Sequence, residues 1–143
     1  MSQNYKSHKR FVPFFHFFLF GLLIVTFIGS VNNLVRSVGN EERLYNAALI
    51  VAIVVSLIFL FFFTRIFALK AQNRAIRAEE NLRHFILTGK ALDSRLTIGQ
   101  IIALRFAPDE EFTTLAKSAV EKNLSPDEIK RSIKNWKPDH HRA

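Results

Sequence analysis

Two stretches of the chain, Phe11 to Val35 and Leu44 to Thr64, contain no Lys, Arg, Asp or Glu. Each is longer than the ~20 residues that carry a helix across a bilayer. In lipid every backbone N–H and C=O must be satisfied within the protein, so runs of this kind fold as helices. The rest of the chain is strongly basic, with a formal net charge of +8, and must be segregated from them. The expectation is an all-α protein with transmembrane helix 1 over 11–35 and transmembrane helix 2 over 44–66. A cleaved signal peptide competes for the first run, because Lys6, Lys9 and Arg10 precede it. An h-region spans only about 7–15 residues, however, and no A-x-A site closes this one.

Orientation follows from the flanking charges. Lys6, Lys9 and Arg10 lie before the first span and Arg65, Lys70, Arg74 and Arg77 after the second, whereas the 36–43 loop holds only Arg36 and Arg43. The positive-inside bias puts the 1–10 segment and everything after the second span in the cytoplasm, with the loop outside. Gly39-Asn40 marks that loop as a tight turn. Small residues recur at Ala48, Ala52 and Ser56 on the second span and at Gly21 and Gly29 on the first. Such residues let helix backbones approach closely in lipid. Folding the chain about Val38 and Gly39 sets Gly29 against Ala48 and Gly21 against Ser56, which predicts a close-packed antiparallel hairpin. Most of the phenylalanines then fall near the cytoplasmic ends of the two spans.

His16 stands alone among those phenylalanines. A histidine in a membrane segment is a functional candidate by default, and it is the polar residue in the spans to which a ligand role is most naturally given. It follows Pro13 by about one turn, near the headgroup level, and neither span carries a second histidine or a carboxylate. A single-chain haem or metal site is therefore not expected, and a structural role for His16 is favoured.

Beyond the second span, Ala68, Ala71, Ala75, Ala78, Leu82 and Phe85 recur at spacings of three and four. That is a heptad seam, and it predicts a helical stalk over 67–89 closed by Gly89. Arg74, Arg77, Glu80, Arg83 and His84 fall on the opposite face and read as solvated. The remaining 90–143 carries start signals for three short helices. Thr97 to Gln100 and Ser125 to Glu128 are capping boxes, the second with Pro126 at the first helical position. Pro108 followed by Asp109, Glu110 and Glu111 places acids where the helix dipole is positive. Phe112, Leu115, Ala116, Ala119 and Val120 form one apolar stripe, and Ile129, Ile133 and Trp136 another. With Ile98, Ile101, Ile102 and Phe106 they make a small three-helix bundle, too small to stand without support from the stalk, which either docks on the bundle or pairs with a second chain.

No catalytic constellation is expected. The chain has no cysteine, and it holds no P-loop, G-x-G-x-x-G, H-E-x-x-H or G-x-S-x-G pattern. Adjacent carboxylates at 109–111 diverge around a helix, and Asp139, His140 and His141 lack the further ligand that a zinc site needs. Lys130, Arg131, Lys134 and Lys137 beside Trp136 form a basic segment on the last helix. They are candidates for contact with an anionic membrane surface, with nucleic acid the less favoured partner.

The segments NYKSHKRFVPFFHFF, RAIRAEENLRHF, RLTIGQIIALRFAPDEEF and IKNWKPDHHR, in that order, resemble a family of small bacterial two-span inner-membrane proteins of unknown function. The resemblance runs over almost the whole chain. It implies an inner-membrane location and a two-helix anchor with a cytoplasmic tail, and it carries over no catalytic residue and no cofactor. The expected function is that of a non-enzymatic, membrane-anchored module that binds its own copies or another membrane protein. The alternatives are an oligomeric transport or channel subunit using His16 with Asn32 or Asn33, and a lipid or nucleic-acid tether through the basic last helix.

Overall fold

The structure, a computed structural model, describes residues 13–138. The membrane-flanking Lys6, Lys9 and Arg10, and the terminal Asp139, His140 and His141, lie outside the described residues. Within them every regular element is a helix, with no strand. A π-helical segment, Phe14–Leu19, leads into α1, Phe20–Arg36. Then come α2, Glu41–Thr88, α3, Ile98–Leu104, α4, Asp109–Glu121, and α5, Pro126–Ser132. Two of these stretches, Phe14–Arg36 and Glu41–Thr88, are long and apolar enough to cross a membrane.

The chain divides into two compact units, Phe11–Phe67 and the part from Ala68 onward. Helix α2 contributes to both and runs without a break for 48 residues. In the first unit, the turn between α1 and α2 is built as its sequence suggests. Gly39 takes φ +97°, a conformation that a Cβ disfavours, and the Asn40 side chain accepts from the Arg43 amide at 3.0 Å to cap α2. The ring of Phe15 stacks on Phe61 with centroids 4.5 Å apart, and Phe20 meets Phe61 and Phe62. Ser30, Ser37, Ala47 and Val54 are the buried residues of this unit. Ser30 and Ser37 satisfy their hydroxyls on the carbonyls of Phe27 and Asn33, each at 2.8 Å, so small polar side chains are buried without an orphaned group.

The register expected from the small residues is not the one formed. Gly21, Gly29, Ala48, Ala52 and Ser56 are all exposed, and a methyl group added at Gly21 or Gly29 would have nothing within 4 Å. The α1 face carrying Leu23, Phe27 and Ser30, with Leu19 just before it, turns inward instead. Matching residues by their distance from the turn left out the rotation of each helix, and the bulky Phe15 and Phe61 pair fixes that rotation.

In the second unit all three short helices begin at their signalled caps. Thr97 and Ser125 each form a reciprocal capping box, with Gln100 and Glu128 respectively, and Asp109, Glu110 and Glu111 occupy the first turn of α4. Thr88 is the last residue of α2, and Gly89 takes φ +71°. The end of α4 uses Asn123 at φ +48°, with the Leu124 amide bonding Ala119 O at 3.1 Å and the Asn123 amide bonding Val120 O at 3.4 Å. This is a Schellman closure with asparagine where glycine is usual. The core joins Ile76 of α2 to Leu96, Ile101, Leu104, Phe106, Phe112, Ala116, Ala119, Ile129 and Ile133.

The face of α2 that packs on this core takes in part of the one that read as solvated, namely Glu80, Arg83 and His84, while Arg74 and Arg77 are exposed as expected. Ile76 and Glu80 are buried and Gln72, Asn73, Arg83 and His84 half-buried, while Ala68, Ala71, Ala75, Ala78, Leu82 and Phe85 are exposed. Alanines contribute little buried area per residue, and the long charged side chains on the other face find partners on α4.

Helix α5 is also shorter than its sequence suggests. It ends at Ser132, and Ile133 is extended with ψ 120°. The Glu111 carboxylate accepts from the backbone amides of Lys134 at 2.9 Å and Asn135 at 3.0 Å, and from the Asn135 side chain at 3.1 Å. The Lys137 amide then bonds Phe106 O at 2.8 Å, which lays Trp136 on the Phe106 ring with centroids 5.0 Å apart. Ile129 and Ile133 are thus buried and Trp136 half-buried, as their spacing suggested. Lys130, Lys134 and Lys137, however, do not share a helical face.

Candidate functional site

A densely bonded charged group of the second unit is Arg83, on the last third of α2. Its Nε donates to Asp109 Oδ1 at 2.6 Å, its Nη1 to Glu80 Oε2 at 3.0 Å and its Nη2 to the Ala107 carbonyl at 2.8 Å. The guanidinium lies over the Phe112 ring at 4.3 Å from the centroid. Its side chain is 13% exposed and that of Glu80 10%. A planar fork with several donors suits this role, and a lysine could not reproduce it. Burial pushes the Glu80 carboxyl up from its ordinary value, and the hydrogen bond and charge of Arg83 pull it back, with smaller help from Lys137 and Arg105. The cluster therefore clamps α2 to the start of α4. Nε, Nη1 and Nη2 of Arg83 each donate to a partner within the fold.

The polar residues next to Arg83 hold the segment after Gly89 in place. Asn81 Oδ1 accepts from the Leu92 amide at 2.9 Å, Arg77 reaches Leu96 O at 3.4 Å, and His84 Nδ1 lies 2.8 Å from Lys90 O. Between this segment and α4 lies an open groove of about 470 Å³, whose rim includes His84, Lys90, Asp93, Arg95, Lys117 and Glu121. Its charges are largely paired. Asp93 bonds Arg95 at 2.7 Å, which pulls the Asp93 carboxyl down to about 2, and Lys117 lies 3.8 Å from Glu121. The groove is thus rimmed by charges of both signs. Among the described residues no group of three His, Asp or Glu side chains could hold a metal ion.

The other candidate residues are dispersed. His16 is half-buried in the π-helical segment, its ring edge-on to Phe15 with centroids 5.3 Å apart. A second groove, of about 400 Å³, lies in the first unit between Leu19, Leu22, Leu23, Val54, Leu57 and Phe61, and is almost wholly apolar. Among the basic residues of the last segment, Arg131 pairs with Asp127 at 2.9 Å and Lys130 is half-buried. Lys134 and Lys137 are exposed beyond the helix end. No local pattern hinted at the roles of Arg83, Asp109 and Glu111. The acids had a sufficient local explanation as dipole partners, and only the packing of α4 brings Asp109 to α2 and Glu111 to the 134–135 backbone. The one usable signal was Ile76, a branched side chain on the charged side of a helix whose other side is alanine.

Comparison with curated proteins and with solved structures gives no match. A family model does match, over the whole of residues 1–143. The chain belongs to the family of unknown function DUF6526.

Proposed function

We propose that the chain is a non-enzymatic inner-membrane adaptor, in which two transmembrane helices anchor a small cytoplasmic helical unit that binds another polypeptide. One observation carries the membrane part. The most apolar stretches of Phe14–Arg36 and Glu41–Thr88 are only 6% and 11% buried within the protein. The central helix of a water-soluble fold would bury most of such a surface, because each exposed apolar side chain forfeits about 1.5–3 kcal/mol of burial. Here Phe17, Val25, Ile28, Ile53, Phe59 and Leu60 are among the many large apolar side chains left uncovered, which fits lipid as their solvent. The antiparallel hairpin and the cytoplasmic placement of the part from Ala68 onward belong to the same proposal, supported by the turn at Gly39 and the surplus of Lys and Arg after the second span.

The adaptor part is supported by the groove of mixed charge beside His84. Membrane fractionation tests the anchor: the protein should stay with carbonate-washed membranes and leave them only with detergent. A reporter fused behind Ala143 should be active only in the cytoplasm. Recovery in the soluble fraction, or reporter activity only outside, overturns the proposal.

A further inference from the structure

The alanine face of α2 is uncovered, and its pattern fits a second α2 better than any other shape. Taking Ala68 as position a of a heptad, the a and d positions are Ala68, Ala71, Ala75, Ala78, Leu82 and Phe85, all exposed. Leu82, Phe85 and the neighbouring Ile86 are 60%, 55% and 73% exposed, an unusual cluster on the unit that carries the charge. The residues packed on the bundle, Asn73, Ile76, Glu80, Arg83 and His84, fall at positions f, b, f, b and c. The bundle therefore sits on the side of α2 away from the seam, and a second helix can approach without displacing it.

Charge selects the occupant and its direction. Arg74 is a g position and Glu79 the e position of the next heptad, the pair that meets between chains in a parallel two-stranded coil. Both are exposed, and neither side chain has an ion-pair partner among the described residues. Two parallel copies form the Arg74 to Glu79 bridge twice by symmetry. They also set alanine against alanine and Phe85 against Phe85. An antiparallel pair would face Arg74 with Asn81, Glu79 with Gln72, and small side chains with large ones.

We propose that residues 68–86 form a parallel self-association seam, joining two copies of this chain through the alanine face and crossed Arg74–Glu79 bridges. The parallel direction rests on the membrane-anchored reading, since two chains inserted the same way present α2 in the same sense.

The chain has no native cysteine, so single substitutions report cleanly. Full-length Ala71→Cys, Ala78→Cys and, as a control on exposed α4, Lys117→Cys are oxidised in native membranes and read as dimer on a denaturing gel. The two seam variants should crosslink at least about tenfold faster than the control, and each only to its own mass doubled. In the Ala78→Cys background, Arg74→Glu or Glu79→Arg should slow crosslinking by about fivefold, and the two together should restore it. Rates at the seam no faster than at Lys117, a double exchange no better than the singles, crosslinks to a protein of another mass, or Ala71→Cys pairing preferentially with Leu82→Cys in mixed chains would each overturn the seam. Fractionation of the same samples judges the anchor separately, because crosslinks absent from a protein firmly in the membrane defeat the seam alone.

Discussion

Replacing Arg83 by methionine keeps an aliphatic stem of similar length over Phe112 and removes the whole guanidinium. Three hydrogen bonds go, to Glu80, Asp109 and Ala107 O, together with the contact over the Phe112 ring at 4.3 Å. Asp109 is exposed and returns to water, whereas Glu80 is left as a buried carboxylate without its cation. Removing one partner of a buried pair costs about 3–5 kcal/mol, most of it the penalty on the charge that stays behind. The expected loss at pH 7 is therefore about 3 kcal/mol, comparable with the entire stability of a unit this small. Trp136 is the only tryptophan and rests on Phe106 inside that unit, so its fluorescence in urea follows the transition in the detergent-solubilised full chain. With a slope near 1 kcal/mol per molar urea, the midpoint should fall by about 3 M, which leaves the variant partly unfolded without denaturant. The sign with pH is fixed by Glu80. A carboxyl whose folded pKa lies above its unfolded value contributes stability that is full below the unfolded value and lost as pH rises through the folded one. Without Arg83 that folded value rises further, so the deficit should be smaller near pH 5 than at pH 8. Glu80→Leu in the Arg83→Met chain should recover most of the loss. A midpoint change below about 1 M, or a deficit that does not depend on pH, refutes the clamp.

Three smaller predictions are equally direct. Asn123→Gly, at φ +48°, should stabilise the second unit by about 0.5–1 kcal/mol in the same urea assay. Glu111→Ala should speed hydrogen exchange at the Lys134 and Asn135 amides and leave exchange within α3 unchanged. Because those bonds hold the Glu111 carboxyl below its ordinary value, the native chain should keep this protection above the ordinary carboxylate range and lose it as pH falls through the lowered folded value. Paired cysteines at Phe15 and Phe61 should crosslink within one chain and those at Gly29 and Ala48 should not, since Phe15 stacks on Phe61 while Gly29 has open space beside it.

How much of this was legible in the sequence depended on range. Caps and stops are decided within four residues, so Thr97 with Gln100, Ser125 with Glu128, Pro126 and Gly89 could each be read directly. Faces are decided by what arrives from elsewhere. The alanines of α2 were as apolar as a seam requires, yet Arg83 and Glu80 went to the interior because Asp109, Ala107 O and Phe112 meet them there. The stretch after Ser132 is helix-compatible by composition, and it leaves the helix because Glu111 offers its amides a carboxylate. The pairing of the two apolar helices was misjudged for a similar reason, since small residues permit a close approach without requiring it.

Leu124 has a consequence for how the second unit tolerates change. Its amide closes the end of α4, it directly precedes the cap of α5, and its carbonyl accepts from the buried Gln100 at 2.8 Å, the same side chain that completes the cap of α3. Three helix ends thus meet in one residue's backbone. A single residue inserted between Lys122 and Ser125 would shift all of them at once, so tags and loop grafts belong elsewhere, and the length of this joint should be as fixed as any core side chain.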